Sequence, residues 1–197
     1  MNAKNYNDLM EKEMGTLKNK RSLLLHCCCA PCSSACLQRL KDAFDVTVFF
    51  YNPNIEDEEY AKRKAELLRF IEKTGWAKIA DCEHGKQTYY SAVHGLEQEK
   101  EGGKRCEVCF KLRLEKTCET AEKLNFDYFA TTLTISPLKN AALINGLGEK
   151  CAEGKRVKWL HSDFKKKNGY LQSLRLSEEY GLYRQDYCGC VYSINKN

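Results

Sequence analysis

Twelve cysteines are the clearest chemical signal in this chain of 197 residues. Four of them fall within residues 27 to 32, in the stretch HCCCAPC, and two pairs follow: Cys106 with Cys109 in GGKRCEVC, and Cys188 with Cys190 in YCGC. Thiolates are the usual ligands of zinc and of iron-sulfur clusters, and a two-residue spacer lets both sulfurs of a pair reach one centre. The sequence therefore predicts a metal site built from segments far apart along the chain.

Four cysteines from two segments are enough for a structural zinc or for an iron-sulfur cluster, and spacing alone does not separate the two. A structural zinc is saturated by four ligands, whereas this chain has further thiols near the same elements. Redox chemistry explains such a surplus better than a structural role does. The expected ligands are Cys28, Cys29, Cys106 and Cys109, and the surplus thiols are Cys32, Cys188 and Cys190.

Two other functions stay open on these residues. A strand followed by Cys29-Ala30-Pro31-Cys32 and then a helix is the setting of a thioredoxin-like thiol-disulfide oxidoreductase, although such an enzyme does not need the cysteines that precede Cys29. A zinc-stabilised RNA-binding module is the second alternative, because paired cysteines and a basic loop would suffice for it. Metal and sulfide content separates these alternatives from an iron-sulfur enzyme.

The composition fits one globular domain in a reducing compartment. The cysteine content lies below that of a disulfide-built mini-protein, and the length allows a core without such bridges. Residues 1 to 22 lack the apolar run of a signal peptide, and no later run approaches membrane-spanning length. We expect a cytoplasmic protein without a membrane partner. It would have a charged amino-terminal extension over residues 1–20 and a single α/β catalytic domain over residues 21–197.

Apolar runs alternate with amphipathic stretches along the chain. This order predicts an α/β fold with a doubly wound parallel sheet and a helical carboxyl-terminal region. Ligands of such sheets bind beyond the carboxyl ends of the strands, which is where HCCCAPC falls. The predicted strands cover residues 22–28, 45–52, 76–82, 126–136 and 157–163, and the predicted helices cover 32–41, 57–73 and 107–124, with another from Pro137.

Polar residues at the same edge are candidates for substrate binding. Ser136 is expected to cap a helix that has Pro137 in its first position. Lys139 would then oppose the helix dipole, a conflict that a bound phosphate relieves, although a solvated lysine is an equally good interpretation. The segment SDFKKKNGY (162–170) sets lysines between aromatic residues, which suits RNA, and YRQDY (183–187) offers donors and acceptors beside the last cysteine pair.

Five motifs in this order resemble the epoxyqueuosine reductase family of the cobalamin-independent type, QueH: HCCCAPC, GGKRCEVCFKLRL, TTLTISPLKN, SDFKKKNGY and LYRQDYCGCVYS. The resemblance implies a fold related to the adenine nucleotide alpha hydrolase-like (Rossmann-like) fold and a [4Fe-4S] cluster. It also implies the last step of queuosine biosynthesis, the deoxygenation of epoxyqueuosine to queuosine at the wobble position of tRNA. The implied partners are the tRNAs for Asp, Asn, His and Tyr and an unidentified electron donor.

The resemblance also divides roles among the residues of this chain. Cys27, which precedes the first pair, is a departure from the family pattern. The family is further associated with a single iron beside the cluster. The expected residues are Cys28, Cys29, Cys106 and Cys109 for the cluster; Cys188 and Cys190 for a redox-active or metal-linked pair; Cys32 with Asp163 for the second iron; Tyr183, Asp163 and Lys165 for proton transfer; and Ser136, Lys139, Lys166, Arg184 and Gln185 for tRNA.

Overall fold

Five parallel strands form the centre of the computed structural model, which describes residues 4 to 194. The strands are β1 (Arg21–His26), β2 (Phe44–Phe49), β3 (Lys78–Ala80), β4 (Tyr128–Thr131) and β5 (Lys158–Trp159). Their spatial order is β3-β2-β1-β4-β5, and each neighbouring pair is parallel. Strands β2 and β3 thus lie on one side of β1, and the later strands β4 and β5 lie on the other side.

Helices cover both faces of this sheet. The helices are α1 (Tyr6–Thr16), α2 (Ala30–Leu40), α3 (Asp57–Thr74), α4 (Lys86–Ala92), α5 (Lys104–Lys123), α6 (Ala141–Ala152) and α7 (Gly169–Glu179). Successive residues of a strand point to opposite faces, so Leu23 and Leu25 pack with apolar residues of α2, α3 and α7, whereas Leu24 packs with α5 and α6. These two cores confirm the predicted doubly wound α/β fold.

The charged amino-terminal segment contains helix α1, which packs against the domain. Met10 is fully buried in the core that also holds Leu23. Arg39 Nη2 of α2 donates a hydrogen bond to Asn7 Oδ1 (2.7 Å), and Tyr6 stacks on His161. Within residues 4 to 194, no helix combines the length and the apolarity that a membrane span requires.

The predicted strands are right in order but too long at their ends. The run 126–136 forms β4 only as far as Thr131, and Thr132–Ile135 then form a 3-10 helix. Thr131 caps this helix, because its hydroxyl oxygen accepts a hydrogen bond from the Leu133 N–H (3.2 Å). The predicted strands 76–82 and 157–163 shrink to three and two residues, since both lie at sheet edges and pair on one side only.

The helix predicted from Pro137 begins later, and this prediction was wrong. Helix α6 starts at Ala141, and Asn140 is its N-cap: Asn140 Oδ1 accepts from the N–H groups of Ala142 (2.9 Å) and Leu143 (3.2 Å). The Ser136 hydroxyl accepts from the Leu138 N–H instead, in the turn before α6. An asparagine that satisfies two free N–H groups is a stronger cap than the serine upstream, so the helix begins behind it.

Candidate metal-binding and redox site

The candidate site lies where the strand order reverses. β1 is followed in the chain by β2 on one side, while β4, its neighbour on the other side, comes much later. In open α/β sheets the carboxyl ends of such neighbouring strands diverge and leave a crevice that binds ligands. The residues after β1 are Cys27, Cys28 and Cys29, and the residue after β4 is Thr132, whose Oγ1 lies 4.0 Å from Cys28 Sγ.

Three cysteines are gathered at this point. Cys29 is the N-cap of α2, and its sulfur accepts a hydrogen bond from the Cys32 N–H (3.4 Å). The sulfurs of Cys28 and Cys29 are 3.9 Å apart, and all three sulfurs lie within 4.8 Å of one another. Thiolates that share one tetrahedral metal ion, at about 2.3 Å from it, would be roughly 3.8 Å apart. This group therefore has the spacing of ligands to a single ion.

Among these three thiols, Cys28 is the one that most readily carries a negative charge. Hydrogen bonds from Cys29 and Cys32 hold the pKa of the Cys28 thiol well below its ordinary value. Burial raises the pKa of Cys29 to about 12, and the hydrogen bond to Cys28 raises that of Cys32 well above the ordinary range. The thiol protons of Cys29 and Cys32 stabilise the Cys28 thiolate through hydrogen bonds. A metal cation bound here would replace these two protons.

A second group of four cysteines comes from two other segments. Cys106 and Cys109 lie in the first two turns of α5, and Cys188 and Cys190 come from the chain after α7. All four line one cavity of about 90 Å³. The Cys190 sulfur and the Tyr89 hydroxyl are 2.9 Å apart, within hydrogen-bond distance. The two late cysteine pairs thus face a common space.

Hydrogen-bond donors surround the α5 pair. Cys106 Sγ accepts from the Gly102 N–H (3.2 Å), and Cys109 Sγ accepts from Arg113 Nη2 (3.1 Å). Burial raises the pKa of the Cys109 thiol to about 11, although the neighbouring guanidinium opposes the rise. Donors of this kind stabilise a thiolate or a sulfide, which is what a metal ligand requires.

A larger cavity of about 420 Å³ adjoins the small one. Cys28 and Cys32 line the larger cavity, and Cys188, Arg113 and Lys139 line both. Its volume lies within the usual range for small-molecule sites, about 300–1,000 Å³. The two cysteine groups therefore meet around one connected region, with two cations between them.

Arg63 of α3 holds the loop that carries the last cysteine pair. Its Nη1 donates to the carbonyl oxygen of Cys188 (3.1 Å), its Nη2 donates to that of Tyr187 (3.3 Å), and its Nε pairs with Glu59 Oε1 (2.6 Å). Gly189 lies against this clamp with φ +100°, and a Cβ there would stand 2.9 Å from Arg63 Nη1. The loop conformation thus requires glycine for both its backbone angle and its space.

Gly189→Ala is expected to destabilise the fold and to displace the Cys188–Cys190 loop. A left-handed backbone at a residue with a Cβ has an unfavourable free energy of about 1–2 kcal/mol, and contact with Arg63 and Ile55 adds to it. The matched control is Gly181→Ala, where φ is +59° but nothing lies within 4 Å of the added Cβ. Urea unfolding should show a larger loss for Gly189→Ala; equal losses would show that contact with the clamp is unimportant.

The predicted substrate residues divide between cavity and surface. Gln185 lines the larger cavity, but its Nε2 donates to Cys29 Sγ (2.9 Å), so the side chain covers that thiol. Asp163 pairs with Lys165 (2.7 Å), and the Tyr183 hydroxyl donates to Glu59 (3.3 Å). The predicted residues that line the larger cavity are Ser136, Lys139, Arg184 and Gln185, and those outside the lining of both cavities are Asp163, Lys165, Lys166 and Tyr183.

Lys139 faces thiols, and the helix position predicted for it was wrong. It precedes the N-cap of α6, so it does not lie in the first helical turn. Burial lowers the pKa of Lys139, but the charges of Cys188 and Cys28 outweigh this effect and raise it above its ordinary value. The negative charges that act most strongly on this cation are therefore those of cysteine thiolates.

Sequence reasoning missed two buried polar groups beside the cysteines. Asn54 lines the small cavity, and both of its amide atoms are buried without a hydrogen-bond partner among residues 4 to 194. Arg113 Nε is also buried without a partner. Unsatisfied buried polar atoms are rare in native structures, and a group in the small cavity that accepts hydrogen bonds would satisfy the two donors, Asn54 Nδ2 and Arg113 Nε. A cluster with sulfide acceptors, held in part by Cys106 and Cys109, fits that requirement.

His26 fixes the sheet edge beneath the cysteines. Its Nε2 lies 3.0 Å from the Tyr51 carbonyl oxygen, which only accepts, so Nε2 donates and Nδ1 accepts from the Thr131 hydroxyl (2.8 Å). Burial lowers the pKa of His26 to about 4, which keeps the ring neutral. Through these two hydrogen bonds, His26 connects the carboxyl ends of β1, β2 and β4. Because both ring nitrogens are engaged, His26 does not ligate a metal.

Comparisons with known proteins identify the family of this chain. The family model described as "Epoxyqueuosine reductase QueH" matches residues 23–196. A protein of that name from Streptococcus pyogenes is 44% identical over 199 residues, covering 96% of this chain and 78% of the relative. Others are 38% identical, from Staphylococcus epidermidis (98% and 85% covered) and Thermotoga maritima (88% and 90%). The chain belongs to the epoxyqueuosine reductase QueH family.

Proposed function

We propose that this protein is an iron-sulfur epoxyqueuosine reductase that converts epoxyqueuosine to queuosine at the wobble position of tRNA. The observation that carries the proposal is that six cysteines line two adjoining cavities at the switch point of the sheet, with a seventh, Cys29, in contact with Cys28. Thiols in that number and position suit electron transfer, and a chain of this family requires electron transfer to reduce its substrate. We expect tRNAs for Asp, Asn, His and Tyr as substrates.

The reaction defines what the site must supply. Removing the epoxide oxygen as water, with an alkene left behind, takes two electrons and two protons. A bound [4Fe-4S] cluster would supply electrons one at a time, so a second source is needed beside it. The thiols of Cys188 and Cys190 balance the equation: epoxide plus two thiols gives alkene, one disulfide and water. An external electron donor would then reduce the disulfide for the next turnover.

We assign the cluster to Cys28, Cys29, Cys106 and Cys109. Cys106 and Cys109 line the small cavity, Cys28 lines the adjoining one, and the partnerless atoms of Asn54 and Arg113 favour a hydrogen-bond acceptor there. A neighbouring single iron would use Cys32, whose sulfur lies within 4.8 Å of the sulfurs of Cys28 and Cys29 and so places the iron beside the cluster.

The larger cavity would bind the modified nucleoside. Lys139 and Arg184 line it, so it is suited to a ligand attached to an RNA backbone. Lys139 also lies between the two cysteine groups, where a fixed cation stabilises negative charge that develops on the departing oxygen. Tyr183, Asp163 and Lys165 stay predicted proton donors, and they would have to reach the cavity through water or through movement of their segments.

The geometry disfavours the thioredoxin-like alternative. Cys29, the first cysteine of C-x-x-C, is 1% exposed, and Gln185 donates to its sulfur. Burial raises the pKa of this thiol to about 12, whereas disulfide exchange needs an accessible thiol with a lowered pKa. The zinc-stabilised RNA-binding module is tested by metal analysis: stoichiometric zinc without acid-labile sulfide would support it and oppose the reductase.

Leu138→Ala is expected to weaken tRNA binding. Leu138 is 83% exposed and lines both cavities, so it stands where the bases around the modified nucleotide must pass. We expect KM for tRNA to rise about tenfold, equivalent to about 1.4 kcal/mol, with kcat little changed. Leu124→Ala is the control, because Leu124 is also exposed but follows α5 at its far end. Equal KM values for both variants would remove Leu138 from the tRNA interface.

A further inference from the structure

Arg113 is a buried positive charge between the two cavities. It lies in α5, one turn after Cys109, is 1% exposed, and lines both cavities. A guanidinium stays protonated in proteins, so the charge is permanent. A buried charge without an opposite partner strongly destabilises the fold, so the native molecule must provide an anion.

Arg113 lacks the partners that a buried arginine usually has. Arg63, which is equally buried, pairs with Glu59 at 2.6 Å and donates to two carbonyl oxygens. In the part of the chain that the structure describes, Arg113 makes one hydrogen bond from its guanidinium, to Cys109 Sγ at 3.1 Å, and its Nε has no partner. Within residues 4 to 194, no carboxylate lies within ion-pair distance of it.

The groups that can compensate this charge are sulfur groups. Cys109, Cys188 and Cys28 are the residues whose negative charge acts on Arg113, and each lines a cavity that Arg113 also lines. Lys139 and Glu101, the other charged residues of the shared lining, have opposite signs, so the lining keeps a net positive charge. The site is thus built to hold more negative charge than a set of neutral thiols supplies.

We propose that Arg113 compensates the charge of the iron-sulfur group and thereby raises its reduction potential, an inference that rests on the proposed function. When one electron enters a cluster bound by four thiolates, the net charge becomes more negative by one unit. A fixed cation in contact with a ligand sulfur stabilises the reduced form more than the oxidised form. Arg113 would then be a positioning and tuning residue that touches a ligand and not the substrate.

The test compares three variants after anaerobic reconstitution with iron and sulfide. Arg113→Met removes the charge and keeps an apolar stem, Arg113→Lys keeps the charge, and Arg21→Met removes an exposed arginine at the opposite end of β1. Each is titrated with dithionite and the reduced cluster is measured by electron paramagnetic resonance. Arg113→Met should lower the equilibrium constant for reduction at least tenfold, about 59 mV for one electron. Arg113→Lys and Arg21→Met should stay close to the unmodified protein.

A second measurement covers folding. Without metal, Arg113→Met should be at least as stable to urea as the unmodified protein, because an unpaired buried charge is gone, and it should gain less stability on reconstitution. An unchanged potential in Arg113→Met, or a marked loss of stability without metal, would overturn the inference and make Arg113 structural. A cluster that fails to form in the unmodified protein would overturn the proposed function, and this inference with it.

Discussion

Cys106→Ser or Cys109→Ser is expected to abolish both the visible absorbance of the iron-sulfur group and turnover. Serine keeps the shape of the side chain but replaces a soft thiolate with a hydroxyl that rarely ionises, so it cannot hold iron and sulfide in the same way. Cys109→Ser would also replace the sulfur that accepts a hydrogen bond from Arg113 with a smaller, neutral hydroxyl. Absorbance spectra, iron content and product formation after anaerobic reconstitution check the prediction.

The matched control for this pair is Cys118→Ser on the same helix. Cys118 is fully buried, lines neither cavity, and donates a hydrogen bond to the Cys151 carbonyl oxygen (3.1 Å), which a serine hydroxyl can also make. The absorbance and turnover of the Cys118→Ser variant should stay near those of the unmodified protein. Retained cluster absorbance in Cys106→Ser and in Cys109→Ser would refute the assignment of both residues as ligands.

Cys188→Ser is expected to keep the cluster absorbance and to lose multiple turnover. The proposed reaction draws two electrons and two protons from Cys188 and Cys190, and a lone thiol cannot form the intramolecular disulfide that closes this balance. Turnover with excess substrate and a chemical reductant should fall by at least tenfold, whereas iron and sulfide content should not change.

Cys151→Ser controls for the loss of a thiol as such. Cys151 is a partly buried cysteine of α6 that lines neither cavity. This variant should turn over repeatedly at the unmodified rate. If Cys188→Ser also turns over repeatedly, the last cysteine pair is not an electron source, and its role is limited to metal binding or to loop structure.

Much of the fold could be predicted from the sequence because it depends on local patterns. The run Leu23, Leu24 and Leu25 is apolar on both faces, as a central parallel strand must be, and the structure buries all three. The ends of the strands could not be predicted, because a strand ends where the neighbouring strand stops pairing with it. The start of α6 was also missed, since Ser136 and Asn140 both qualify as caps and the path of the chain after β4 decides between them.

The candidate site was predictable in position but not in detail. The rule for carboxyl strand ends predicted the convergence around HCCCAPC. Cys106 and Cys190 line the same cavity only because the segment after α7 returns to the sheet at that place. The hydrophobic periodicity of the sequence does not encode the path of this segment. Arg113 was missed for a related reason, because an arginine in an amphipathic helix is usually exposed and only the tertiary packing buries it.

We propose that this protein reduces an epoxide on tRNA with an iron-sulfur site. The most direct measurement incubates the anaerobically reconstituted protein, with a chemical reductant, with tRNA that carries epoxyqueuosine, and then analyses the digested nucleosides by mass spectrometry. We predict conversion of epoxyqueuosine to the nucleoside that lacks one oxygen atom, and dependence of that conversion on bound iron and sulfide. Full retention of the epoxide by a protein that contains the cluster, or conversion by protein free of iron, would contradict the account.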